Sequence, residues 1–144
     1  MKYKLLNEHS NDLAIEVYGK TKLLLFENAL NAMSELLGCK PYGNQLEHLL
    51  SNVSGTYVVS LDDTFVLHDI LSEALATIVR TNTCQWNFKI TKLSTYELRT
   101  YLTFTYCDGL FIPEVEIKAV TYCDMNVHFD GRDKLWKTKI VFDT

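Results

Sequence analysis

The chain has 144 residues, 47% hydrophobic and 22% charged, with a formal net charge of -4 and a pI near 5.5. That length fits one domain, residues 1–144, with a core of its own. The acidic balance excludes a protein that grips nucleic acid over a broad basic surface, and no apolar run reaches the length of a membrane span.

Residues 3–6 predict a first strand. Asn7 and Glu8 follow at once, so no signal-peptide core is expected. His9-Ser10-Asn11-Asp12 is a polar, turn-forming cluster. Leu13, Ile15 and Val17 then alternate with Ala14, Glu16 and Tyr18, which predicts a strand ending at Gly19. Asp12 sits at the mouth of that strand, where a carboxylate can close an Asx-turn, face solvent or meet a metal.

Thr21 offers an N-cap, and Leu23, Phe26, Leu30, Met33 and Leu37 recur at helical spacing. Gly38 and Pro41 end that helix, which reads as scaffold. Residues 39–55 read as irregular, with a short helical turn at 45–50 and a surface histidine, His48. Residues 56–61 predict a strand with Tyr57, Val59 and Leu61 on one face. Asp62 and Asp63 supply a cap and favourable charge for a second helix, in which Leu67, Leu71, Ala74, Leu75 and Ile78 form the apolar stripe. Asp69 and Glu73 are four apart and share a face, a spacing open to a metal or acid/base pair but read here as a solvated face or one turned to a partner.

Trp86, Phe88 and Ile90 open a long antiparallel hairpin with a turn at Ser94-Thr95, and Asp108-Gly109 signals a further turn. Residues 114–129 predict the strand around which the chain is organised. Lys118 and Tyr122 fall on one face of it, and a lysine there needs a rim position or an acidic partner. Asp130-Gly131-Arg132-Asp133 is a hairpin turn. In the last strand Trp136, Ile140 and Phe142 oppose Lys137, Lys139 and Val141. The sum is an α+β fold, a mostly antiparallel sheet with two helices packed on one face.

Cys39, Cys84, Cys107 and Cys123 lack metal-ligand spacing and read as reduced, mostly buried thiols of a cytosolic protein. No P-loop, GxSxG, HExxH or dinucleotide fingerprint is present. Neither His9 nor His128 is spaced to activate Cys123, so the residues predict no free-standing enzyme.

Several pieces together resemble the archease family. They are His9-Ser10-Asn11-Asp12 with Tyr18-Gly19-Lys20-Thr21, Phe26-Glu27-Asn28-Ala29, and Leu67-His68-Asp69-Ile70-Leu71-Ser72-Glu73-Ala74-Leu75. The most specific is Ile117-Lys118-Ala119-Val120-Thr121-Tyr122 with the terminal Val141-Phe142-Asp143-Thr144. Asn11, Ile70 and Cys123 depart from the alanine, tryptophan and histidine usual in that family.

The resemblance implies a non-catalytic, cytoplasmic protein cofactor of a GTP- and manganese-dependent RNA ligase of the RtcB type, promoting its guanylylation and multiple turnover in tRNA splicing. Association with tRNA would be indirect, with no membrane and no direct high-affinity nucleic-acid binding. It implies a divalent metal, calcium, held by Asp12, Asp143 and Thr144, a combination of oxygen donors suited to a hard cation. A last strand without a tail fits that role for Thr144. Lys118, with Asp12, would contact the ligase or its nucleotide, with His9 and Tyr122 in support. Two further readings stand beside it: a general chaperone or specificity modulator for tRNA-modifying enzymes, and a small metal-dependent hydrolase using Asp12, Asp143 and His9.

Overall fold

The computed structural model describes residues 2–6, 12–41 and 52–144. His9 and the turn expected at 45–50, with His48, lie outside the described residues. Among these residues the strands divide into two antiparallel sheets. In the first, β1 (Tyr3–Leu5) pairs with β2 (Leu13–Gly19), and β2 pairs with β9 (Leu135–Asp143). Along the other edge of β9 lie β7 (Ala119–Val120) and β8 (His128–Asp130). In the second sheet β6 (Arg99–Phe111) pairs with β5 (Cys84–Tyr96), β4 (Asn52–Val58) and the short β3 (Cys39–Lys40).

Helix α1 (Lys22–Leu37) is capped as its sequence demands. The Thr21 hydroxyl accepts from the Leu24 N–H, and Gly38 takes the left-handed conformation that ends it. Asp62 caps α2 (Asp63–Thr81) by accepting from the Phe65 N–H. Leu25, Phe26, Ala29 and Met33 of α1 meet Leu67, Leu71 and Ile78 of α2 and Ile15, Val17, Ile140 and Phe142 of the first sheet in one core. The α+β class, both helices and the antiparallel pairing follow the sequence expectation.

Helix α1 does more than pack. Strand β5 carries register irregularities between Trp86 and Lys89 and between Ile90 and Lys92, and Asn87 there has φ 53°. A bulge leaves main-chain groups without ladder partners. Side chains of α1 supply them: Asn31 donates to the Phe88 carbonyl at 3.0 Å and accepts from the Phe88 N–H at 2.7 Å. Glu27 accepts from the Ile90 N–H at 3.0 Å, and the Ser34 hydroxyl donates to the Gln85 carbonyl. Asn28 reaches the opposite way and donates to the Tyr18 carbonyl at 2.7 Å. The Phe26-Glu27-Asn28-Ala29 motif thus ties the helix to both sheets.

Several expectations are corrected. Residues 114–129 are not one strand: only Ala119–Val120 and His128–Asp130 enter the ladder, because the chain leaves β9 between them through a turn at Asp124, where φ is 59°. The long hairpin turns at Glu97 and Leu98, not at Ser94-Thr95. Both turn residues have positive φ, 50° and 62°, as a two-residue hairpin turn requires. Asp108-Gly109 is no turn but part of β6, paired with Gln85 and Cys84; a Cβ on Gly109 would meet the Trp86 ring. Strand β4 begins earlier than expected and ends at Val58, leaving Tyr57, Val59 and Leu61 exposed and Val58 buried. Cys39 and Cys84 are disulfide-bonded across the second sheet rather than reduced, whereas Cys107 and Cys123 are free.

At the β8–β9 turn, the Lys137 ammonium lies 3.1 Å from Asp130 and also pairs with Asp133. The hydrogen bond from Lys137 and the Arg132 N–H hold the Asp130 carboxyl below the usual carboxylate range. A carboxyl lowered on folding contributes stability above its unfolded pKa, and that contribution is lost as pH falls through the folded value. An NMR titration of the Asp130 side chain is expected to show this depression, and Lys137→Ala to raise the midpoint toward the ordinary range. An unchanged midpoint would refute the assigned cause.

Candidate functional site

The register of the first sheet gathers the two ends of the chain. Leu13 faces Phe142 across β2–β9, so Asp12, one residue earlier, stands at the level of Asp143. On the other side of β9, Ala119 faces Asp143 and the Lys118 N–H donates to the Asp143 carbonyl at 2.7 Å. The end of β9 is therefore flanked by Asp12 on one strand and Lys118 on the other, with Thr144 next in line. Asp12, Lys118 and Asp143 are all exposed.

The Lys118 ammonium forms no ion pair with a carboxylate among the described residues. The segment around it is held by its backbone instead. The Thr121 N–H and hydroxyl both donate to the Val141 carbonyl, at 3.0 and 2.9 Å. Ile117 and Val120 are buried at 4% and 6% exposure, which breaks strict alternation and turns Lys118 outward as their neighbours turn in.

Tyr122 belongs to a neighbouring cluster. Its ring stacks on His68 with centroids 3.6 Å apart and planes 14° apart, and Phe65 also stacks on it with centroids 6.2 Å apart. His68 Nε2 lies 2.9 Å from the Val120 carbonyl, which can only accept, so Nε2 carries the proton in that bond. Nδ1 faces Asp69 at 3.3 Å. Desolvation, then the Asp69 charge, raises the Tyr122 hydroxyl above its ordinary pKa. Sequence reasoning did not single out His68 or Phe65. His68 entered only as part of the second-helix motif, with no role assigned, because a stacking partner from a distant segment leaves no local pattern.

Asp69 and Glu73 do not act as a pair. Asp69 turns to His68 and Tyr122, whereas Glu73 lines a cavity against the second sheet. No group of three or more His, Cys, Asp or Glu side chains suited to a metal occurs among the described residues. What the chain offers beside β9 is a set of hard oxygen donors, Asp12, Asp143 and Thr144. Their chemistry fits calcium or another hard divalent cation, with partner or water oxygens completing a shell of six to eight, roughly.

Comparison with known proteins bears on the fold and the family. The chain resembles the solution structure of protein 1598 of Methanobacterium thermoautotrophicum, with TM-score 0.75, 22% identity and 99% of each chain covered. It also resembles the crystal structure of an archease, possible chaperone (TM1083), from Thermotoga maritima, with TM-score 0.62, 22% identity, and 96% of this chain and 95% of that one covered. No curated protein sequence matches it. At that identity the two structures establish the fold. The sequence model of the archease protein family (MTH1598/TM1083) matches residues 3–144, the whole span that carries both aspartates and the lysine. This chain belongs to the archease family.

Proposed function

We propose that the protein is a non-catalytic activator of an RtcB-type, GTP- and manganese-dependent RNA ligase, promoting the ligase's guanylylation and multiple turnover in tRNA splicing in the cytoplasm. The observation that carries this reading is the meeting of Asp12, Lys118 and Asp143 at one exposed sheet end, with a lysine that no described carboxylate neutralises. Phosphoryl transfer depends on positioning and electrostatic stabilisation more than on added covalent chemistry. A fixed ammonium beside oxygen donors can therefore act on a partner's nucleotide without any nucleophile of its own. Asp12, Asp143 and Thr144 would hold calcium, whose bound charge would fix the two strand ends. Lys118 would contact the ligase or its nucleotide, and the Tyr122 ring would buttress the segment that carries it. No helix of the described residues is long and apolar enough to cross a membrane.

The test is a ligation assay with the partner ligase limiting and GTP and manganese supplied. Wild type is expected to convert a single turnover into many. Lys118→Ala and Asp12→Ala are expected to reduce stimulation at least about a hundredfold, the scale of lost positioning and charge stabilisation, while melting as wild type does. No effect of wild type on a ligase proven active would overturn the reading. Suppression of aggregation of unrelated clients, independent of Asp12, would instead favour the chaperone role named for the Thermotoga protein.

A further inference from the structure

Between α2 and the inner face of the second sheet lies a cavity of about 210 Å³. Three rings form one wall: Phe88, Phe104 and Tyr106, with centroids 6.1 to 6.2 Å apart. The cavity's polar lining includes an amide, Gln85, and a carboxylate, Glu73. Gln85 is only 9% exposed, yet its side-chain amide makes no hydrogen bond among the described residues. Glu73 contributes the only carboxylate of the lining and forms no ion pair among the described residues. Apolar walls with a few converging polar groups are the usual make-up of a small-molecule site.

We propose that this cavity binds a small aromatic amine. The flat ring lies against Phe88, Phe104 and Tyr106, a polar ring edge meets the Gln85 amide, and the cationic group reaches the Glu73 carboxylate. The class follows from size and charge. A dry cavity of about 150 Å³ holds a benzene ring, so this one has room for a ring with a short side chain. The one ionised lining group selects a cation over an anion. The site is separate from the Asp12–Lys118–Asp143 sheet end and does not depend on the ligase reading.

Tryptamine and 3-methylindole are the probes, titrated into the full chain and followed by two-dimensional amide NMR. Saturable shifts are expected for the Gln85 side-chain amide and for Thr77 and Tyr106 with both probes. Glu73→Gln is expected to weaken tryptamine about tenfold and leave 3-methylindole unchanged, since only the amine meets the carboxylate. Ala74→Leu and Thr77→Leu each fill the cavity from α2, and whichever melts as wild type does is expected to bind neither probe. Shifts that fail to saturate, or that persist in a folded filled variant, overturn the site. Equal loss of both probes in Glu73→Gln overturns the assignment of the cation.

Discussion

Phe142→Ala is expected to cost about 3–5 kcal/mol of stability. The ring is fully buried, at 0% exposure, and is among the largest side chains so enclosed. Its backbone pairs with Leu13 on one side and Val120 on the other, so the ring sits where three strands meet beneath the helices. Removing it loses the transfer free energy of the ring and leaves a cavity that three hydrogen-bonded strands cannot collapse to fill. A domain of this size has about 5–15 kcal/mol in hand, so the variant should melt roughly 10 °C lower. Urea denaturation should show a lower midpoint with an unchanged m-value. A loss below about 1 kcal/mol would mean that the strands close over the gap.

Gly38→Ala is expected to cost about 2–5 kcal/mol, from two causes that add. Gly38 has φ 100° and ψ 24°, a conformation in which a Cβ is strained. The same Cβ would also strike the Ile112 carbonyl, its carbon being 2.8 Å away. That carbonyl cannot withdraw cheaply, because the Ile112 N–H donates to the Gly38 carbonyl at 3.0 Å and the next turn is tied to Leu37 by Glu114. Gly131, with no heavy atom within 4 Å of an added Cβ, is the control: Gly131→Ala should change the urea midpoint little. Equal effects at the two positions would contradict the steric account.

The helices were legible because their signals are local. Thr21 and Gly38, Asp62 and the periodic leucines bracket α1 and α2, and each cap forms the bond its residue type predicts. The late strands were not. Residues 114–129 are β-branched and apolar, yet a strand also needs a partner, and the segment leaves β9 between its two paired stretches through the turn at Asp124. The hairpin turn was misplaced because Glu97 and Leu98 carry positive φ without a glycine or asparagine to announce it. The Cys39–Cys84 pairing had no spacing signal, since it depends on β3 and β5 both meeting β6. At the candidate site, Asp12, Lys118 and Asp143 came from the family resemblance, and the register of β2, β7 and β9 brings their backbones together. The His68–Tyr122 stack required the fold itself.

Strand β9 sits at the centre of the first sheet although it follows every other described strand in sequence, and it joins Leu13 to Phe142 across a separation of more than a hundred residues. The β5–β6 hairpin, by contrast, is closed by a two-residue turn and forms from neighbours. Loop-closure entropy must be overcome before so remote a contact gives any return, and non-local pairing of this kind slows folding. A chain still growing from its N-terminus can assemble the hairpin and both helices while Asp12 has nothing opposite it. The sheet end that carries Asp12, Lys118 and Asp143 therefore comes into being only once β9 has paired, so a partner that recognises it recognises the assembled sheet.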